Sequence, residues 1–375
     1  MPTQTRLAVI PEVLAAAATA GRRQPLFGIY RPQESLVQVL SRFKQANPAF
    51  RRVGWVNPGS RVLGPRLSVA LEGGEVEIEL EKDLPTPASL LVLGRVGDLD
   101  DRRRGLVPEH GLASFEAHYV GAGSLGSGVG LLLAQAGVGL HRVYDRDVLD
   151  TANLTRHICG LTDLGREKAI ATTEHLSMAG CNALGVTVDI EKVDDRQLDL
   201  LLKPADVVVA TTDSPVVQFL VNESVVRTGK IGVFAGAYEL ARAGEVLVVR
   251  PGKGPCLYCA TGFRATVSPA AGPHERRQAY QRADMSRLTA EPGLGLDITY
   301  LASVVAAHVL AVLDPAGSRA DLLAHGCFTL LHGPSAPQAE YSNLFRRPLD
   351  VVHARVIRED ACPVCGFRSS PEVRS

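Results

Sequence analysis

No cysteine and no histidine precedes His110 in this chain of 375 residues, so the region before it can hold neither a thioester-forming thiol nor a histidine-based metalloprotease site. An excess of charge of either sign is missing too: 40 Lys and Arg stand against 40 Asp and Glu. That balance gives no basic footprint for nucleic acid or for an anionic membrane. No uninterrupted apolar run reaches about eighteen residues, which excludes a membrane span from the expectations. The alanine-rich N-terminus resembles a leader only until Pro11 and Glu12, which break its apolar run, and a short helix is expected there.

What the chain does have is one organising stretch, Ala117 to Lys168. The apolar run His118-Tyr119-Val120 passes directly into Gly121-Ala122-Gly123-Ser124-Leu125-Gly126, a G-x-G-x-x-G at the mouth of a helix. Glycines let the backbone turn tightly and approach a ligand, and the N–H groups opening a helix attract negative charge. Leu125, Val129, Leu132, Leu133 and Ala136 recur at helical spacing, with Gly137 placed as a C-cap. A second strand, Leu140 to Tyr144, ends on Asp145, about twenty residues on, where a carboxylate can accept both ribose hydroxyls. Glycine-rich corners also arise from packing alone, but together with Asp145 they indicate a nucleotide. Asp147, Asn153, Arg156 and Lys168 follow, a carboxylate, an amide and two cations suited to a triphosphate. A nicotinamide enzyme has no particular need for that polar run.

The blocks G-A-G-S-L-G, Y-D-R-D-V, N-L-T-R-H and D-L-G-R-E-K, in this order and spacing, resemble the ubiquitin-activating-enzyme-like superfamily in its ThiF and MoeB branch, over roughly residues 115 to 368. The resemblance implies ATP- and magnesium-dependent adenylation of a C-terminal carboxylate, that of a small ubiquitin-like sulfur carrier or a peptide, by a cytoplasmic homodimer. It implies that Gly121, Gly123, Ser124 and Gly126 cradle phosphate, that Asp145 holds the ribose, and that Asn153, Arg156 and Lys168 bind the triphosphate. Asp213, after the run Asp206 to Thr212, matches the family's magnesium aspartate; the competing reading makes it a helix cap. Ser124 stands where the family has glycine, and His157 where glutamine is common. The family's R-Y-x-R-Q helix, whose arginine reaches into the partner subunit, has no counterpart here, and Arg102, Arg103 and Arg104 are the candidates to replace it. The polar segment Phe263 to Pro292 corresponds to the family's crossing loop and carries no cysteine for a thioester.

The expected fold is α/β, a doubly wound, mostly parallel Rossmann-like sheet with a zinc knuckle and a small α+β N-terminal domain. Its expected division is 1–112, 113–368 and a tail 369–375. In the first part, Ser35 to Asn47 reads as an amphipathic helix through Leu36, Val39, Leu40 and Phe43; Arg66 to Leu80 reads as a hairpin around Gly73-Gly74, and Ser89 to Leu93 as a strand. This part either recognises substrate or props a dimer, with Asp98 to Pro108 as linker. Later, Arg166 to Gly180, Arg196 to Leu202 and the segment opened by Pro215 read as helices. Gly185 to Val188, Asp206 to Ala210, Lys230 to Ala235 and Gly244 to Val249 read as strands. Leu296 to Leu313 is an apolar core helix with Asp297 and His308 inside it, and His325 to Leu331 with Asp350 to Ile357 closes the sheet as an antiparallel pair.

Of the seven cysteines, Cys256-Leu-Tyr-Cys259 and Cys362-Pro-Val-Cys365 are two C-x-x-C pairs about a hundred residues apart, and four thiolates suit a closed tetrahedral zinc site. One pair alone could be a redox dithiol. Cys327 reads as core, and Cys159, near Arg156, is the one imaginable nucleophile. The rival functions are a nicotinamide-dependent oxidoreductase, adenylation of a ribosomal natural-product peptide, and a non-catalytic peptide-binding scaffold.

Overall fold

The structure is a computed structural model and describes residues 4–20, 22–41, 43, 50–56, 64–71, 74–92, 103–108, 111–261, 293–324, 327–334 and 345–366. The protein is mixed α/β and divides into two compact units, Met1–Arg104 and Gly105–Ser375, each built on one large sheet.

In the first unit the strands are β1 (Arg6–Val9), β2 (Gln24–Arg31), β3 (Leu36–Ser41), β4 (Arg51–Val56), β5 (Arg66–Leu71), β6 (Gly74–Leu80) and β7 (Ser89–Val92). They lie in the order β5-β6-β4-β2-β3-β1-β7. Among the described residues the unit's one α-helix, α1 (Pro11–Ala18), begins on its proline and buries Leu14 and Ala17 against Leu7, Val37, Val53 and Ile78. The expected hairpin is present, with Leu71 opposite Gly74 in the register; Gly73 itself lies outside the described residues. The helix expected over 35–47 is instead β3, with 44–49 outside the described residues. Leu36, Val39 and Leu40 have helical spacing, but Val37 and Val39 alternate inward and are completely buried, while Phe43 is 68% exposed. Two β-branched residues buried on one face of a strand outweigh a helical stripe whose last member stays largely exposed. At Gly28 of β2 an added Cβ would lie 1.7 Å from the Gln38 carbonyl oxygen, so strand approach fixes that glycine.

The second unit follows the expected alternation. Its elements are β8 (Glu116–Val120), α2 (Ser124–Ala136), β9 (Leu140–Asp145), α3 (Lys168–Ser177), β10 (Asn182–Thr187), α4 (Asp195–Leu202), β11 (Val207–Ala210), α5 (Pro215–Thr228), β12 (Ile231–Ala237), β13 (Ala243–Val249), α6 (Gly295–Leu313), β14 (Phe328–His332) and β15 (Val351–Ala354). The sheet order is β10-β9-β8-β11-β12-β13-β14-β15. Neighbours from β10 to β12 pair parallel, and β12 to β15 pair antiparallel. All four residues of β11 are buried, as a central strand covered on both faces requires. The chain leaves β8 toward β9 and β10, then returns across it to β11, so the strand order reverses between β8 and β11. A crevice opens at the strand ends at such a reversal. Helix α6 is long and apolar enough to cross a membrane, but it buries Leu301, Val305, Val309 and His308 in the core and approaches α2 at Gly128 and Ala302.

Candidate functional site

At the end of β8 the chain turns at Gly121, whose φ of +102° L side chains rarely adopt and whose would-be Cβ lies 2.9 Å from the Thr212 nitrogen. Gly126 is needed for closeness: a Cβ there would sit 2.0 Å from the Gly121 carbonyl oxygen. Gly123 differs. It is the N-cap of α2, makes no side-chain cap, and an added Cβ would meet nothing within 4 Å. The fold therefore needs the first and third glycines of the motif, and the second leaves open space at a helix N-terminus where a ligand can approach. We predict that Gly126→Ala destabilises the protein by about 2 kcal/mol or more, the scale of an overpacked core. Gly123→Ala should keep its stability within about 1 kcal/mol, the scale of an N-cap change. It should also weaken nucleotide binding at least tenfold, about 1.4 kcal/mol. Thermal melts and nucleotide titrations of the two variants separate these effects; equal melting and equal nucleotide affinity would remove the distinction.

Asp145, at the tip of β9, lines the cleft and also holds its backbone. Its Oδ2 accepts the Ala122 N–H at 2.6 Å and its Oδ1 the Asp147 N–H at 2.8 Å, which ties the glycine turn to the next loop. Burial raises its pKa against the pull of those bonds. Each oxygen keeps a second lone pair for a hydroxyl donor. His157 braces the same turn from the other side: Nε2–H donates to the Ala122 carbonyl at 2.7 Å, and Nδ1 accepts the Cys159 N–H at 3.1 Å. Both bonds together require the neutral ring, and burial lowers its pKa in the same direction. Lys168 opens α3 with Nζ 3.0 Å from Asp147 Oδ2, its side chain 12% exposed against 56% for the aspartate. Asn153 shapes the intervening turn by accepting the Asp150 N–H at 3.0 Å. Arg156 follows on that turn, its N–H bonded to the Asn153 carbonyl.

Asp213 lies just past β11 and is exposed. Ser214, not Asp213, caps α5, with Oγ accepting the Val217 N–H at 3.3 Å, so the helix-cap reading of Asp213 does not hold. One cleft of about 970 Å³ brings together Gly121, Gly123, Ser124, Asp145, Asp147, Asn153, Arg156, Lys168 and Asp213, with Gly126 packed beneath it. Other polar residues on its wall carried no assignment in the sequence. Arg146 pairs with Asp189 at 3.1 Å, Gln218 donates to the Thr212 carbonyl at 2.9 Å, and Tyr238 donates to Glu245 at 2.7 Å. Asp189 lies two residues past the end of β10, so its place near a strand end was the one available sign.

The two C-x-x-C pairs converge. Sulfur separations are 4.0 Å for Cys256 and Cys259, 3.6 Å for Cys256 and Cys362, and 3.4 Å for Cys259 and Cys365. Four sulfurs on one tetrahedral zinc, each about 2.3 Å away, lie about 3.8 Å apart. The donor set fits that ion. Asn222 of α5 accepts the Leu257 N–H at 2.9 Å and the Glu359 N–H points to the Cys259 sulfur at 3.5 Å, so both halves of the cluster are held by their surroundings. Cys327 packs partly buried against the core, as expected. Cys159 is 3% exposed and burial pushes its thiol up to about 12, which argues against a nucleophile. The segment 263–292, Arg102 and the tail 369–375 lie outside the described residues.

The family model described as ThiF family matches residues 107–332. The sulfur carrier protein adenylyltransferase of Thermus thermophilus is 30% identical over 254 residues, covering 66% of this chain and 80% of that protein. The sulfur carrier protein ThiS adenylyltransferase of Bacillus subtilis is 25% identical over 266 residues, 69% of this chain and 67% of the relative. With the mouse adenylyltransferase and sulfurtransferase MOCS3 the identity is 32% over 203 residues, 52% of this chain but only 43% of that longer protein. Among solved structures, Escherichia coli MccB with ATP superposes with a TM-score of 0.51 at 20% identity, covering 68% of each chain, a likeness of fold.

Proposed function

This chain belongs to the ThiF family, and on that premise we propose that it is an adenylyltransferase that uses ATP and magnesium to activate the C-terminal carboxylate of a small ubiquitin-like sulfur-carrier protein or a peptide. The observation that carries the reading is the single cleft in which the glycine turn, Asp145, Asn153, Arg156, Lys168 and Asp213 meet. The acceptor carboxylate attacks the α-phosphate in line, pyrophosphate leaves, and an acyl adenylate forms. Arg156 and Lys168 stabilise the charge that spreads over the phosphates. Among the described residues the cleft wall carries seven carboxylates and three cations, and two of those cations, Arg146 and Lys168, already face Asp189 and Asp147. A triphosphate entering such a wall needs a cation of its own. Asp213 would hold magnesium, which when bound neutralises the leaving pyrophosphate. Four thiolates, Cys256, Cys259, Cys362 and Cys365, would hold a structural zinc.

A nicotinamide-dependent oxidoreductase leaves Arg156, Lys168 and Asp213 without work, and a scaffold has no reason to keep them. Binding of ATP with magnesium and not of NAD, by titration calorimetry, tests that choice. The enzyme works as a cytoplasmic homodimer in this reading, which leaves a residue of the partner subunit to supply the missing arginine.

The first unit bears on the acceptor. Its sheet ends in β5 on one side and β7 on the other, and β7 exposes Leu90 and Leu91 at 43% and 47%. An edge strand captures an extended peptide by main-chain hydrogen bonds, with side-chain pockets giving choice. This supports a peptide acceptor, including a ribosomal natural-product precursor, beside the sulfur carrier. Removal of residues 1–105 should spare ATP binding and weaken the protein or peptide acceptor at least tenfold, about 1.4 kcal/mol. A folded, dimeric truncation with unchanged acceptor affinity would defeat this role. Monomers in sedimentation with lowered ATP turnover would assign the unit to the dimer instead.

A further inference from the structure

Three unlike donors converge in the second unit, apart from the four-cysteine cluster. Cys159, Asp163 and His175 present a sulfur, a carboxylate oxygen and an imidazole nitrogen that all lie within 4.8 Å of one another. Cys159 and Asp163 are 3% and 4% exposed, and the His175 side chain is 29% exposed, which leaves one side of the cluster reachable from solvent. We propose that Cys159, Asp163 and His175 form a second metal site, suited to zinc or another divalent ion of similar softness, with a fourth position open to water.

The sequence builds the cluster from two elements. Cys159 and Asp163 belong to the turns that follow Arg156, Asp163 closing the short helical turn Leu161–Asp163, and His175 lies two turns into α3 beyond Lys168. His175 Nε2 stands 2.9 Å from Asp163 Oδ2. A nitrogen and an oxygen bound about 2.0 Å from one tetrahedral zinc lie about 3.3 Å apart, so a few tenths of an ångström admit the ion. The rest of Asp163 is already oriented: Oδ1 takes Arg166 at 2.7 Å and Oδ2 the Gly160 N–H at 3.0 Å. Ligating carboxylates are commonly held in this way by partners outside the coordination sphere. Arg166 also pairs with Glu174 at 2.7 Å, so one cation serves two carboxylates. Adding a thiolate from Cys159 leaves three negative charges against one positive, a deficit that a divalent ion cancels. Thiolate, imidazole and carboxylate together favour zinc over magnesium or calcium. An ion there would clip the segment between Arg156 and Lys168, two of the three cations on the cleft wall.

Titration of the full-length protein with zinc, followed by elemental analysis and chelator competition, reads the site directly and independently of any activity. Two equivalents per chain are expected. His175→Gln, a partly exposed change that circular dichroism can check for folding, should weaken one equivalent at least tenfold. Cys159→Ser should remove one sulfur's share of the charge-transfer absorption with cadmium as probe. Hydrogen exchange of amides 157–166 should slow as the second equivalent binds. A single equivalent in the wild type overturns the proposal, as does a second equivalent whose affinity and cadmium spectrum are unchanged by both variants.

Discussion

Asp213→Asn is expected to reduce ATP–pyrophosphate exchange by at least about a hundredfold, the scale of removing one group that stabilises charge in the transition state. The loss should come without unfolding. Asp213 is exposed beyond β11, the strand itself is anchored by Val207 to Ala210, and Ser214 supplies the cap of α5, so the fold asks nothing of the carboxylate. Surface changes of this kind alter stability by about 0.5 kcal/mol or less. The variant should keep ATP affinity closer to wild type than exchange, because Arg156, Lys168 and the glycine turn remain. Exchange at the wild-type rate with magnesium present would remove Asp213 from the mechanism.

Cys362→Ser should act in the opposite manner, on stability before chemistry. The four cysteines lie in one core cluster with Val249, Leu257, Phe345 and Val356, so a metal there ties the end of the chain to the sheet. Structural zinc contributes on the order of 10 kcal/mol to folding in small modules. Even half of that, at about 2–4 °C per kcal/mol for a domain of this size, lowers the Tm by about 10 °C or more. The loss should be matched by one equivalent of zinc in elemental analysis and reproduced by chelators. At temperatures where the variant remains folded, its KM for ATP should equal that of the wild type. Protein purified without chelators that contains no zinc would contradict the structural role.

How far the sequence could be read depends on the range of the interactions involved. The glycine turn, β9 ending on Asp145 and the buried β11 are local patterns, each with a period or a turn chemistry of its own, and they are where the sequence places them. The two C-x-x-C pairs could be joined across about a hundred residues because zinc needs four ligands and each pair supplies two. The first unit was less legible. Leu36, Val39 and Leu40 satisfy helical spacing while Val37 and Val39 satisfy strand spacing, and only the pairing of β3 with β1 and β2 decides between them. The cleft wall shows the same limit. Arg146 finds Asp189 because β9 and β10 are neighbours, and Tyr238 finds Glu245 across the β12–β13 turn; neither pair has a mark in the linear pattern. Cys159, Asp163 and His175 meet only because α3 folds back beside the turn that precedes it. His157 was visible as a departure from the family, but its bond to the Ala122 carbonyl, which holds the glycine turn, appears only in three dimensions.

The central claim is that this cleft transfers AMP to a carboxylate. Incorporation of labelled pyrophosphate into ATP tests it most directly, measured with magnesium in the presence and absence of sulfur-carrier proteins and peptides bearing a C-terminal carboxylate. Exchange that requires ATP, magnesium and an acceptor with that carboxylate intact, and that stops when the carboxylate is amidated, is the predicted result. Absence of exchange with every acceptor, in folded protein that binds NAD in place of ATP, would contradict it.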